Sequence, residues 1–218
     1  MKLAVLGDSI TRGTYWEDGA YHIAAESYPK LLKKRLRVDE LLCVAIDGVS
    51  ISSTSPDKPE NALCNICREI CDADIVLIAG GTNDYGNSGG VELGEINDKE
   101  DFSFYGALEI LYQTVQNNNP KGQIYVVLPI PRLEENVPNI KGYVLEDYRT
   151  AIEKKAREYG FFVIDTRRMP IDPHNEMGRK LHICDGLHPN QEGHKIYAKY
   201  IYNAIKTHFE CEKAEMVK

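Results

Sequence analysis

Leu3-Ala-Val-Leu6, followed at once by Gly7-Asp8-Ser9, is the stretch whose reading decides the fold. The run is short and continuously apolar. It does not alternate, so both faces of the strand it forms need cover, as in a parallel sheet with helices on both sides. The Gly-Asp-Ser that ends it reads as a turn out of the strand. Four further runs have the same character: Leu42–Ile46, Ile75–Ala79, Ile124–Leu128 and Phe161–Ile164. Helical periodicity fills the intervals, over Tyr28–Arg37, Asn61–Cys71, Phe104–Gln116, Val144–Tyr159 and Gln191–Phe209. Strand and helix in alternation predict an α/β domain with a parallel sheet of about five strands and right-handed crossovers.

The chain has 218 residues, 43% hydrophobic and 27% charged, as expected of a single globular domain over 1–218 that buries a full core. Only four apolar residues lie between Met1-Lys2 and Gly7, whereas a signal peptide needs roughly 7–15. No run approaches the roughly 20 apolar residues of a membrane span. The expectation is a cytoplasmic protein with no membrane partner. A net charge of −7 argues against nucleic acid, which calls for a basic face. The basic cluster Lys30, Lys33, Lys34, Arg35 and Arg37 reads as the solvated side of an amphipathic helix. Nothing in the sequence sets the oligomeric state.

Six cysteines lie at 43, 64, 67, 71, 184 and 211. Cys64-x-x-Cys67-x-x-x-Cys71 has metal or redox spacing, and a redox or metal protein built on it is one alternative. The spacings are also helical, and free cysteine packs as a small hydrophobe. With no second ligand pair in view, the reading is the inner stripe of a helix. Cys184 reads as packing.

The residues that could carry chemistry each follow a strand or precede a helix. Ser9 follows the first strand, Gly48 the second, and Asn83, in Gly80-Gly-Thr-Asn-Asp84, the third. Asp185-Gly-Leu-His188-Pro precedes the last helix. The carboxyl edge of an open α/β sheet is where ligands bind. The irregular Tyr85–Ser103 stretch overhangs the same edge, and Tyr15, Trp16, Glu17 and Asp18 are placed at the pocket mouth. A serine hydroxyl becomes a nucleophile when a base takes its proton. His188 suits that role, and Asp185 could orient the imidazole. The backbone N–H groups of Ser9 and Gly48, with the Asn83 amide, would supply three donors to an oxyanion. Taken one at a time the same residues have structural readings. Asn83 could bond loop backbone, Asp185 could form a turn and His188 could cap the final helix. His182 is a rival base. Asp8 and Asp84 are either turn carboxylates or hydrogen-bonding supports for the two loops. Arg12 and Arg132 read as surface cations, or as partners for an anionic substrate group.

Together these blocks resemble the SGNH, or GDSL-type, hydrolase family. The matching residues are Gly7-Asp-Ser-Ile10, Gly48, Gly81-Thr-Asn-Asp84 and Asp185-Gly-Leu-His188-Pro-Asn190, in order across residues 7 to 190. The second block departs from the family's frequent Asn-x-Gly-x-x-Gly: Ile46-Asp-Gly-Val-Ser-Ile51 keeps the first glycine but not its neighbours. The resemblance implies a flavodoxin-like three-layer sandwich with strand order 2-1-3-4-5. It implies Ser9 as nucleophile, His188 as base, Asp185 as its partner, and Ser9, Gly48 and Asn83 around the oxyanion. It also implies that no metal or organic cofactor is needed. The expected function is hydrolysis of a small-molecule acyl ester, with acetyl esters of soluble glycosides or metabolites in view. The alternatives are an O-acyltransferase using the same residues and a non-catalytic binding module on this scaffold.

Overall fold

The computed structural model describes residues 1–86 and 90–215, with side chains as far as Cys211. Five strands make one parallel sheet: β1 (Lys2–Gly7), β4 (Glu40–Ala45), β5 (Ile75–Ala79), β6 (Gln123–Val127) and β7 (Phe162–Ile164). Their order is β4-β1-β5-β6-β7. Counting only these strands, this is the 2-1-3-4-5 order that the sequence resemblance implies. A separate antiparallel hairpin joins β2 (Thr14–Glu17) to β3 (Ala20–Ile23).

Alternate residues of the sheet feed two cores, as strand geometry requires. Ala4, Leu6, Val76, Ile78 and Val126 pack with α3 (Leu63–Ile66), α5 (Phe104–Asn118) and α6 (Leu145–Glu158). Leu3, Val5, Leu77, Tyr125 and Val127 pack with α2 (Tyr28–Leu36) and α8 (Gln191–Glu215). The central strands are continuously apolar because both of their faces are covered. The edges differ: β4 is only half-buried, with Cys43 exposed, as one side of an edge strand is bare. Among the described residues, no helix is long and apolar enough to cross a membrane.

Two sequence expectations need correction. The helix expected over Asn61–Cys71 is three short pieces: a 3-10 turn at Pro59–Asn61, then α3, then a second 3-10 turn at Cys67–Glu69. The first-turn N–H groups of Leu63 and Cys64 bond the carbonyls of Ser50 and Ile51, and the chain leaves helical geometry at Ile70, whose N–H closes a 3-10 turn on the Cys67 carbonyl. Cys64 and Cys67 are buried but Cys71 is exposed, so no three-cysteine stripe forms. Secondly, the irregular stretch opens with α4 (Thr82–Gly86), which already contains Tyr85; residues 87–89 of it fall outside the described residues.

Candidate active site

The site begins at the end of β1. Gly7 has no Cβ for a structural reason: one placed there would lie 2.0 Å from the Thr11 Oγ1 and 2.8 Å from the Ala79 carbonyl. The close approach lets the chain turn directly into α1 (Ser9–Arg12), a single helical turn. Asp8 caps it, its carboxylate accepting the Ile10 N–H at 2.9 Å. Gly13, at φ +99°, closes the other end by donating its N–H to the Ser9 carbonyl at 2.9 Å. Ser9 is thereby held at the first helical position, at the carboxyl edge between β1 and β5, where the strand order reverses. This is the crevice at which open α/β sheets bind ligands.

His188 reaches Ser9 from far along the chain. The Ser9 Oγ and His188 Nε2 are 2.9 Å apart. His188 Nδ1 and the Asp185 Oδ2 are 2.7 Å apart. The other Asp185 oxygen accepts the backbone N–H groups of Leu187, at 2.9 Å, and of His188, at 2.7 Å. Burial pushes the Asp185 carboxyl up, but the hydrogen bonds from His188 and the backbone outweigh it and leave the pKa below the ordinary value. An ionised Asp185 at Nδ1 holds the imidazole with Nε2 toward the serine hydroxyl, the arrangement in which that hydroxyl can lose its proton.

The helix cap expected of His188 as its structural reading falls instead to Asn190, whose side chain accepts the N–H groups of Glu192 and Gly193. His182, the rival base, ends α7 (Glu176–His182), and its carbonyl receives the Asn190 N–H at 2.9 Å. His194 lies fully buried, and burial, then the neighbouring His188 charge, push it down to about 3.

Asn83 and Asp84, in the first turn of α4, grip the loop that leaves β4. The Asn83 amide donates one N–H to the Val49 carbonyl at 2.7 Å. The Asp84 carboxylate accepts the N–H groups of Ile51 at 2.8 Å and Ser52 at 2.9 Å. Gly48 begins this loop at φ +75°, a conformation that favours glycine, and a Cβ there would meet open space. Burial raises the Asp8 carboxyl to about 6 and the Asp84 carboxyl to about 7. Both are thus hydrogen-bonding supports of the loops that carry Ser9, Gly48 and Asn83.

Trp16 stands over His188, with ring centroids 5.2 Å apart and planes tilted by 49°. It belongs to the hairpin, which the sequence reading placed at the pocket mouth but did not recognise as strands. The signal was present: Asp18-Gly19, with φ of +52° and +75°, is a favoured two-residue hairpin turn between two short segments rich in aromatic and β-branched residues. Asp47 also gained no role from sequence. Its carboxylate binds Arg12 and Thr14, at 2.6 and 2.9 Å, and Tyr21 at 3.2 Å. Arg12 is therefore committed to an ion pair. Arg132 is half-buried over the Tyr85 ring, 5.2 Å from its centroid, and donates to the Thr82 carbonyl at 3.2 Å. Arg12 is at the surface, as read from the sequence, whereas Arg132 is not. Burial raises the Cys64 thiol out of its ordinary range and also raises Cys67, so neither is poised as a thiolate. Among the described residues, no three His, Cys, Asp or Glu side chains cluster as metal ligands.

A doubly wound parallel sheet with a Ser-His-Asp chain on its carboxyl edge defines a class of α/β proteins with a hydrolase-like site. The chain belongs to the GDSL-like Lipase/Acylhydrolase family, whose model matches residues 5–196, and it is a carboxylic ester hydrolase. No curated protein matches the sequence. Among solved structures, a protein from Lactobacillus plantarum is 27% identical with a TM-score of 0.80, covering 95% of this chain and 97% of its own. The lipase/acylhydrolase from Enterococcus faecalis is 19% identical with a TM-score of 0.60, covering 95% and 97%. A variant of an acetyl-xylooligosaccharide esterase from Geobacillus is 20% identical with a TM-score of 0.57, covering 94% and 93%.

Proposed function

We propose that the protein hydrolyses small acyl esters, acetyl esters of glycosides foremost, through an acyl-Ser9 intermediate. The observation that carries this reading is the unbroken Ser9–His188–Asp185 hydrogen-bond chain. The Ser9 Oγ attacks the ester carbonyl carbon and its proton passes to His188 Nε2. The tetrahedral oxyanion is held by the Ser9 and Gly48 N–H groups and by the Asn83 amide, which has a second N–H besides the one given to Val49. The carbon–oxygen bond to the alcohol then breaks, and the leaving oxygen takes the proton from His188. Water, deprotonated by the same imidazole, attacks the acyl-serine and releases the acid and the serine hydroxyl. Each step conserves the proton that His188 carries.

The short acyl group rests on the packing around the pair. Ser9 is 5% exposed and His188 9%, so a bulky acyl chain would have to displace packed neighbours. One protein that shares the fold is an acetyl-xylooligosaccharide esterase, which makes acetylated glycosides the first natural substrates to try.

The test is hydrolysis of p-nitrophenyl esters from acetyl to long-chain, by the wild type and Ser9→Ala. Turnover that falls with chain length and vanishes in a folded Ser9→Ala variant supports the reading. Equal activity in both proteins overturns the nucleophile, and a preference for long chains overturns the short acyl group.

A further inference from the structure

We infer that Trp16 recognises the alcohol half of the ester, and that this half is a hydroxylated ring with an apolar face, a glycoside being the class that fits. The inference rests on the triad reading proposed above and adds to it a residue that sets alcohol specificity.

The indole is a fixed surface rather than a side chain free to move. Its hairpin turns tightly at Asp18-Gly19. Asp47 ties both strands down through Thr14 and Tyr21, and Glu17 accepts the Cys184 thiol at 3.1 Å. That last contact fastens the hairpin to the residue just before Asp185. Trp16 nevertheless stays 41% exposed, and Tyr21, edge-on to it at 5.3 Å between centroids, is 47% exposed. Exposed aromatic surface on a rigid support beside a reacting group is a binding wall.

Chemistry decides which half of the ester meets that wall. His188 Nε2 must pass its proton to the departing alcohol oxygen, which therefore sits within about 2.6–3.2 Å of Nε2. The carbon skeleton of the alcohol then lies alongside the imidazole, where Trp16 packs. The acyl carbonyl points the other way, toward Ser9, Gly48 and Asn83 on the β1, β4 and β5 loops. The hairpin surface is also polar at its edges. The Tyr21 hydroxyl, the Asp47 carboxylate and the Arg12 guanidinium converge, the carboxylate bonding both of the others. An apolar ring face against indole, with hydroxyls reaching polar groups at the rim, describes a sugar better than an alkyl chain.

The experiment compares kcat/KM for a mono-acetylated methyl xyloside and for ethyl acetate, in the wild type, Trp16→Ala and Trp16→Phe. The ratio of glycoside to ethyl ester should fall roughly tenfold or more in Trp16→Ala and largely return in Trp16→Phe, which restores a ring. The ratio of p-nitrophenyl acetate to butyrate should hold in all three. Equal losses on both acetates would mean that Trp16 only supports His188, and a shifted acetate-to-butyrate ratio would place it on the acyl side. Either overturns the inference. If the variants do not fold, the wild type alone tests it. With p-nitrophenyl acetate as the donor, which acetylates Ser9 and releases p-nitrophenol, methyl xyloside added with ethanol at equal concentration should capture more acetyl than ethanol does, and ethanol winning overturns the assignment. Ser9→Ala with wild-type turnover sinks the triad reading itself. An inactive Ser9→Ala with unmoved Trp16 ratios sinks only the alcohol site.

Discussion

The Asp185 carboxylate holds His188 at two points, the ring Nδ1 and the residue's own backbone N–H, both at 2.7 Å. Ring orientation and loop conformation are therefore set by one side chain. Asp185→Asn keeps the shape but cannot hold the same tautomer, because its amide nitrogen is no acceptor. We expect kcat on p-nitrophenyl acetate to fall by about 10³–10⁴ while the melting temperature stays near that of the wild type. A kcat within about tenfold of the wild type would show that the carboxylate does not orient the base.

On the proposed mechanism, Asn83→Ala removes one donor to the oxyanion, together with the observed bond to Val49. Turnover should fall by about 10²–10³ with KM little changed, since the lost contact is made in the transition state. Steady-state kinetics on p-nitrophenyl acetate check this. A rise in KM alone would make Asn83 a substrate-binding group instead.

Arg132 holds α4 by its bonds to Thr82 and its seat on Tyr85, and so acts on Asn83 from outside the reacting atoms. Its neighbour Leu133 donates its N–H to the Gly186 carbonyl at 2.8 Å, which ties the same segment to the Asp185 loop. Arg132→Met should lower kcat by about tenfold, through misplacement of groups that need accurate positions. The loss should shrink in an Asn83→Ala background, because residues acting through one another are not additive. Additive losses would show that Arg132 works by another route.

Asp84 gives the protein a pH signature. Burial, acting against the bonds from Ile51 and Ser52, raises its carboxyl from 3.8 to about 7. The folded protein thus holds a proton that the unfolded chain has already released in that interval. The stabilisation is complete below the unfolded value and is lost as pH rises through about 7. The loss amounts to a few kcal/mol, at about 1.4 kcal/mol per tenfold change in proton affinity. Urea midpoints across the acid-to-neutral range for the wild type and Asp84→Asn test this. The substituted amide does not titrate, so the stability of the wild type relative to the variant should decline with rising pH. A flat or rising difference would mean that Asp84 is ionised throughout.

The five sheet strands were readable because each carries apolar residues on both faces, a pattern that survives without knowledge of its neighbours. The edge position of β4 came only from the strand order that the family resemblance implies, since Leu42 and Val44 look alike whether one side is bare or covered. The Asn61–Cys71 helix failed for a related reason: local spacing favoured it, but 3-10 turns flank α3 and the distant Asn119 amide takes the Ile70 carbonyl where the run ends. Ser9, Asn83, Asp185 and His188 were all legible as candidates, each beside a strand end or helix start. Asp84 was legible as one of two readings, a loop support, but neither its partners nor any role for Asp47 was. Asp84 meets residues 51 and 52, and Asp47 meets Arg12 and Tyr21, across separations that no short-range pattern reports. The hairpin was the avoidable loss, because Asp18-Gly19 announced it.

The one-turn helix that carries Ser9 is bounded by Gly7, which no side chain can replace, and by Gly13, which closes it in a left-handed conformation. The number of residues between these two glycines is consequently as much a part of the site as their identity. Each residue of a helix advances the direction of its side chains by about 100°. A single insertion or deletion there would swing the hydroxyl to another compass bearing, out of reach of His188.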